Sequence, residues 1–305
     1  MTKAAFIAGD WGTTCLRLYL CAADGAVLAR AEGAGASVPN HAARFAAAVA
    51  PWDDAHGQLP AVLGGMVGST IGWREAPYQD CPTRPEAIAG AALRFDQDGR
   101  AIAIVPGLKC IGPAGVPDVM RGEEVQILGA LRLQPALAQG APLFCLPGTH
   151  AKWVSMQDGA VRGFQTAVSG ELFELLRSHS VLARDGGQPD PTSPAFAHGL
   201  AVVRDAGAGL LPLLFSARAQ VVTGAMPKDQ AASYLSGLIV GSDVWSAVCG
   251  AQPLFAAQTV NLICSPHLAR AYVKALESYG KFAAVIDGDA AALAGLVQVY
   301  KELFA

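Results

Sequence analysis

The residues with the clearest chemical potential stand at the end of the first apolar run: Asp10, Gly12, Thr13 and Thr14 in AAFIAGDWGTTCLRLYL. A carboxylate at a strand end, followed at once by a tight turn carrying two hydroxyls, can cradle phosphate oxygens while the carboxylate holds Mg²⁺ directly or through water. Gly12 admits a close backbone approach that a Cβ would obstruct. The plainer reading is a hairpin with polar turn residues. A second turn, LPGTHAKW, offers Gly148, Thr149, His150 and Lys152. Its backbone donors, hydroxyl and cation could clamp the other side of a triphosphate. Alone it reads as a common Gly-Thr hairpin with a solvated lysine and a hydrogen-bonded structural histidine; the pair of turns is worth more than either.

The elements that would position these turns repeat. Residues 4–33 read as strand, Gly-Thr turn, alternating strand (Leu16, Leu18, Leu20), Asp24-Gly25 turn and strand. From Pro142 the same grammar returns, with Gly148-Thr149 for Gly12-Thr13 and Asp158-Gly159 for Asp24-Gly25. One supersecondary unit used twice, once per lobe, is the expectation. Between the copies lie a Gly-rich stretch, an apolar strand (AIAIVPG) and a helix from about Arg121 to Leu133 with Glu123 and Glu124 in its first turn, where carboxylates favour the positive helix end. After the second copy come a helix over 169–183, a Gly/Pro loop over 185–194, a helix over 229–249, a buried strand VNLICSP, and two further helices. Helices covering sheets in a βα pattern give an α/β chain. At 305 residues the chain exceeds one ordinary core, so two lobes are the default expectation.

Composition narrows the partners. Hydrophobic residues make up 52% and charged residues 15%, ample for burial. A net charge of -3, from 22 Lys+Arg against 25 Asp+Glu with no basic run, makes nucleic acid and anionic membrane poor partners. The seven cysteines are scattered and never in CxxC spacing, which suits a reducing cytoplasm and argues against a zinc knuckle or a disulfide framework. The first apolar run, broken by Asp10, reads as a strand and not as a signal peptide. A homo-oligomer is left open.

The segments DWGTTCLR (Asp10 to Arg17), GGMVGSTIGWREAPY (Gly64 to Tyr78), VMRGEEVQILGA (Val119 to Ala130), LPGTHAKWV (Leu146 to Val154), VSGELFELL (Val168 to Leu176) and YLSGLIVGSD (Tyr234 to Asp243) resemble, in order and over nearly the whole chain, the 2-dehydro-3-deoxygalactonokinases of the sugar kinase, actin and heat-shock-chaperone ATPase superfamily. The resemblance implies two ribonuclease-H-like lobes, mixed sheets flanked by helices, with ATP in a central cleft. It implies a first lobe over 1–125 for phosphate and sugar acid, and a second over 126–305 for the nucleotide, its last helix packing back on the first. DWGTT becomes the first phosphate motif, GTHAK the second and ICSPHLAR the adenosine-side segment. There Cys264-Ser265 stands where superfamily members often carry Gly-Gly, which leaves the adenine contacts of Ser265 and its neighbours open.

The implied reaction is Mg-ATP-dependent phosphorylation of 2-dehydro-3-deoxy-D-galactonate at its 6-hydroxyl, a step of galactonate catabolism. A carboxylate near the start of the helix between the two phosphate turns should act as general base. Asp118, Glu123 and Glu124 lie there; Asp118, read as a loop residue just before the helix, comes first and Glu123 second. For the glutamates a dipole-favoured helix start is the plain alternative. The substrate's carboxylate calls for a guanidinium, from Arg74 or Arg121, with Arg17 third. The segment with Gly65, Met66, Ser69 and Trp73 would form the pocket wall, or else a structural turn capped by a packed Trp73. A kinase of another sugar or keto-deoxy acid is the nearest alternative and an ATP-driven binding protein a distant one. A nicotinamide dehydrogenase is disfavoured because no GxGxxG opens a helix after the first strand.

Overall fold

The alternating apolar residues of the first thirty positions build one side of a sheet. In the computed structural model, which describes residues 3–184, 186–206, 209–249 and 257–305, the strands in chain order are β1 (Ala4–Trp11), β2 (Cys15–Ala22), β3 (Val27–Ala34), β4 (Ala61–Gly65), β5 (Gln79–Asp80), β6 (Leu93–Gln97), β7 (Arg100–Ile104), β8 (Leu108–Ile111), β9 (Pro117–Met120), β10 (Leu143–Leu146), β11 (Ala151–Gln157), β12 (Ala160–Ala167), β13 (Thr259–Cys264) and β14 (Phe282–Asp287). The chain forms two compact units. One comprises Met1–Ala141, Met156–Phe164 and Ile286–Ala305, the other Pro142–Ser155 and Gln165–Val285.

The first sheet runs β3-β2-β1-β4-β7-β6. Its β1-β2-β3 meander is antiparallel, and the chain returns on the far side of β1 to add β4 and then β7 in parallel. The second sheet, β12-β11-β10-β13-β14, repeats the order. There β10 and β11 are antiparallel and β13 returns parallel to β10. The repeat legible in the sequence is thus a repeat of topology, that of two ribonuclease-H-like lobes. Its turns follow from residue type: Gly25 has φ 99°, and Asp158 and Gly159 have φ 49° and 79°, the left-handed pair a two-residue hairpin needs.

Each sheet is held by helices. On one face of the first, Ile7, Leu18 and Leu63 pack with Phe45 and Val49 of α1 (His41–His56). A short helix, α2 (Pro85–Gly90), precedes β6. On the other face Phe6 stacks on Tyr300 with ring centroids 3.9 Å apart. That face carries α3 (Glu123–Leu133) and the last helix, numbered α10 below (Gly288–Phe304). The second unit carries α4 (Ser169–His179), α5 (Pro194–Ala206), α6 (Leu210–Leu214), α7 (Ser216–Val222), α8 (Ala231–Val248) and α9 (Pro266–Ser278). Within it Trp153, Phe196, Leu200, Val244, Leu262 and Tyr272 share one core.

Three expectations are adjusted. The helix expected from Arg121 begins at Glu123, because Gly122 at φ 110° lies outside helical space. The helix expected to reach residue 183 stops at His179, where Ser180 is extended. Asp118 is not a loop residue: it lies on β9, opposite Cys110, in a small β5-β8-β9 sheet. Of the Gly/Pro loop, Asp185 lies outside the described residues.

Where α3 and α10 cross, no side chain separates the backbones. A Cβ on Gly129 would overlap the Ala291 carbonyl oxygen, and one on Gly295 the Val125 carbonyl oxygen. Alanine usually gains about 1 kcal/mol over glycine inside a helix, yet here the clash should win. Gly129→Ala and Gly295→Ala are expected to lower stability by roughly 1–3 kcal/mol through overpacking. Gly90→Ala, at a helix end with open space around the position, should be neutral or slightly stabilising. Thermal melts of the three variants check this contrast of sign.

Candidate active site

Parallel strand pairing places Asp10 level with Gly64 and Trp11 level with Gly65, so the ends of β1 and β4 lie side by side. Gly65 is needed there, at φ 88°: a Cβ would come 2.8 Å from the Trp11 carbonyl oxygen and 3.6 Å from Asp10 Oδ1. Gly122, before α3, has its Cβ direction 3.5 Å from the Gly65 Cα. Asp10, Gly65 and the start of α3 therefore form one cluster at the strand ends, the place where α/β sheets bind ligands.

Antiparallel register sets Arg17 opposite Asp10 on β2. Its Nη1 stands 3.2 Å from Asp10 Oδ2 and 3.3 Å from Asp289 Oδ1 of α10. Arg17 thus points to the Asp10 side, which the sequence left open. Burial raises the Asp10 pKa, while the Arg17 charge and hydrogen bond oppose that rise. The turn after Asp10 is closed internally: the Gly12 N–H donates to the Cys15 carbonyl and Gly35 N–H to the Thr14 carbonyl. The Gly12 N–H is therefore bonded within the turn and does not face outward, while Thr13 and Thr14 are exposed.

Of the candidate bases, Glu123 opens α3 and its Oε2 accepts the Arg121 N–H at 3.1 Å. Asp118 on β9 accepts the Val119 N–H at 2.8 Å. Glu124 is the surprise. It does not sit as a solvated helix-start charge: it is 0% exposed, its Oε2 accepts the Gly122 N–H at 2.7 Å, and its Oε1 is buried without a partner among the described residues. Desolvation, with the neighbouring Glu123 charge, pushes its pKa up to about 8, against the pull of the Gly122 N–H and Arg121. Nothing in the spacing distinguished it from Glu123.

The two guanidinium candidates differ. Arg74 is exposed and lies 4.0 Å over the Phe95 ring. Arg121 lies 4.3 Å over Tyr78 and donates from Nη2 to the Ala76 carbonyl at 2.8 Å, while its Nε and Nη1 are buried and unpaired among the described residues. Arg121 also abuts the Gly-rich loop, since a Cβ on Gly68 would sit 2.9 Å from Nη1. In that loop Ser69 Oγ donates to the Met66 carbonyl at 2.7 Å, Met66 packs on the core, and Trp73 is set among Trp11, Phe45 and Phe95.

In the second unit the Gly148-Thr149 turn rests on the start of α4. A Cβ on Gly170 would overlap the Gly148 carbonyl oxygen, and the Glu171 N–H donates to the Thr149 carbonyl at 2.9 Å. His150 Nε2 pairs with Glu171 Oε2 at 2.6 Å. Lys152 is not solvated: it is 5% exposed and its Nζ donates to Thr166 Oγ1 at 2.9 Å. Ser265 is the exposed N-cap of α9. Beside the turn opens a mainly apolar pocket lined by Gly148, Ser169, Phe173, Ser236, His267 and Tyr272, with further residues of α8 and α9. The sequence reading missed Phe173, Ser236 and His267; only their membership in VSGELFELL, YLSGLIVGSD and ICSPHLAR pointed to them. Among the described residues no group of three or more His, Cys, Asp or Glu could hold a metal by itself, and no helix is long and apolar enough to cross a membrane.

Two ribonuclease-H-like lobes, each turning a glycine hairpin out from the first strand of its sheet, are the frame of the two-lobed sugar kinases, a class of phosphotransferases. Residues 10–299 match the family described as 2-keto-3-deoxy-galactonokinase, and the chain belongs to that family. A Rhizobium meliloti protein named as a 2-dehydro-3-deoxygalactonokinase, DgoK1, is 39% identical over 97% of both chains. The 2-dehydro-3-deoxygalactonokinase of Escherichia coli K12 is 34% identical over 96% of both. A crystal structure from Sinorhizobium meliloti, assigned the same activity, superposes with a TM-score of 0.89 at 35% identity, covering 98% of this chain and 99% of the other.

The Glu124 environment sets a pH dependence. The folded chain keeps a proton on Glu124 that the unfolded chain releases above its ordinary value of 4.5. The native state therefore binds more protons between about pH 4.5 and 8, and stability falls as pH rises through that window. Glu124→Gln, neutral at every pH, should melt with a flatter dependence from pH 5 to 8 than the wild type. Parallel slopes in the two proteins would remove the raised pKa.

Proposed function

We propose that this chain transfers the γ-phosphoryl group of Mg-ATP to the 6-hydroxyl of 2-dehydro-3-deoxy-D-galactonate, giving ADP and the 6-phosphate. The observation that carries this reading is the Asp10 cluster, supported by the family to which the chain belongs. Residues 1–125 would serve the phosphates and sugar acid, and residues 126–305 the nucleotide.

Asp10 fits a magnesium role. Its carboxylate is a hard oxygen donor, and the missing side chain of Gly65 leaves room beside Oδ1. When bound, the ion would neutralise charge on the phosphate oxygens. Thr13 and Thr14 add hydroxyls beside it. Gly148 and Thr149 would hold phosphate oxygens, with His150 turned to Glu171 and Lys152 kept in the sheet beneath. The apolar pocket beside Gly148 suits an adenine ring, with Ser236, His267 and Ser265 as polar neighbours.

Glu123 is our first choice as general base, because it follows directly on Gly122, which meets Gly65. Asp118, fixed on a strand, is the second. The base would take the proton from the attacking hydroxyl as its oxygen bonds to phosphorus and ADP departs. Arg121, with two unpaired guanidinium nitrogens, is favoured over Arg74 for the substrate carboxylate. Gly65, Met66, Ser69 and Trp73 would shape that end of the site.

Asp10→Asn should keep the circular dichroism spectrum and lose turnover by orders of magnitude; near-normal turnover would end the metal role. Glu123→Gln and Asp118→Asn should separate the bases. The true base loses kcat, typically 10²- to 10⁴-fold, with little change in ATP affinity. Arg121→Met should lower kcat/KM for the sugar acid by roughly ten- to two-hundred-fold, the worth of a charge-assisted pair, while Arg74→Met does less. Equal efficiency of the wild type on glucose and on the sugar acid would overturn the substrate assignment.

A further inference from the structure

Asp243 of α8 is 5% exposed and takes three hydrogen bonds from three different elements. Its Oδ1 accepts from Trp153 Nε1 of β11 at 2.8 Å; its Oδ2 accepts from Ser169 Oγ at the start of α4 at 2.7 Å and from Tyr272 Oη of α9 at 2.6 Å. Each donor is neutral, and no cationic side chain is among these partners. A buried carboxylate without a cation is costly, and an apolar replacement of similar shape would often be as stable. What the carboxylate gives that an apolar side chain cannot is fixed geometry among three elements.

Two of the three donors belong to residues that line the pocket beside Gly148. Ser169 precedes Gly170, which carries the Gly148 carbonyl, and Glu171, whose N–H holds the Thr149 carbonyl. Tyr272 lines the same pocket from α9, with His267, Leu268 and Ala271 of that helix. Trp153 lies in the sheet and is no part of the lining. We infer that Asp243 is a positioning residue for nucleotide binding: by accepting from Ser169 and Tyr272 on one oxygen, it sets the spacing between the phosphate turn and the α9 lining of the pocket. Asparagine could not replace it, because with its oxygen toward the two hydroxyls its NH₂ would face the Trp153 N–H, donor against donor. The inference rests on the reading of this pocket as the nucleotide site.

The test measures Mg-ATP affinity by calorimetry without sugar acid, the sugar-acid KM, and the melting temperature. Tyr272→Phe and Ser169→Ala remove hydroxyls already bound to Asp243 and leave the rest of the lining in place. Each should raise the nucleotide Kd by about tenfold, near the lower end for a charge-assisted hydrogen bond, with the sugar-acid KM within about twofold. Trp153→Phe removes the third donor on the side away from the pocket. It should lower the melting temperature and leave Kd within about twofold. Asp243→Asn should show both effects, and if it does not fold the three donor variants still decide. If all three donor variants melt earlier and bind nucleotide as the wild type does, or if Trp153→Phe weakens binding as much as the other two, Asp243 is only structural and the proposal fails. A folded wild type that binds no nucleotide, or one whose binding survives Ala271→Trp in the pocket, would overturn the underlying site reading instead.

Discussion

The contact on which the first unit's chemistry depends is made without side chains. At Gly129 and Gly295 the backbones of α3 and α10 meet directly, each glycine against a carbonyl of the other helix. Because α10 also packs on β1 through Phe6 and Tyr300, this crossing fixes α3 against the sheet. The start of α3 is then held at the end of β4, where Gly122 meets Gly65 and Glu124 is drawn out of water. A larger residue at the crossing would move the start of α3, and with it Glu123 and Arg121, away from Asp10. Interiors pack too densely to absorb such a shift locally.

The two units use the same strand order for different electrostatics. In the first, charge gathers near the strand ends: Asp10 and Asp289 share the Arg17 guanidinium, and burial raises the Glu124 pKa to about 8. The second unit surrounds its buried charged groups with neutral partners. Lys152 is tied to a threonine, Asp243 is wrapped by three neutral donors, and the lining is mainly apolar. In the proposed reading the pocket would receive a flat, weakly polar ring, and the negatively charged Asp10 cluster a cation that in turn meets phosphate. The shared topology supplies strand ends and helix starts in both units, and side-chain chemistry gives each its own ligand preference.

Much of this could be read from the chain. Period-two leucines gave β2, the Asp-Gly pairs gave the hairpins, and the recurrence of Gly-Thr after a first strand gave the repeated sheet, because each signal is local. What escaped depends on partners far along the chain. Asp118 lies in a strand only because residues 108–111 pair with it, and a four-residue strand with one apolar end has no alternation to betray it. Glu123 and Glu124 are indistinguishable by composition; one helical step turns the second inward. The burial of Lys152 escaped because its partner Thr166 lies across a hairpin. Phe173, Ser236 and His267 meet only when α4, α8 and α9 converge, which no single stretch of sequence announces.

The Arg17 arrangement also bears on how a cation would enter. A single guanidinium nitrogen stands almost equally far from Asp10 and Asp289, at 3.2 and 3.3 Å, and the side chains are 41%, 30% and 69% exposed for Arg17, Asp10 and Asp289. The Arg17–Asp289 pair is exposed, a kind worth about 0–1 kcal/mol, whereas the half-buried Asp10 costs more to part from its guanidinium. Asp289 keeps Arg17 from being left without a carboxylate when the Asp10 contact breaks. If Asp10 held a divalent ion, as proposed, Asp289 would be in place to keep Arg17 paired. With no ion present, Arg17 offsets one of the two carboxylate charges and leaves the cluster negative, which suits a cation. A deeply buried Arg–Asp pair in the same place would have cost several times more to separate.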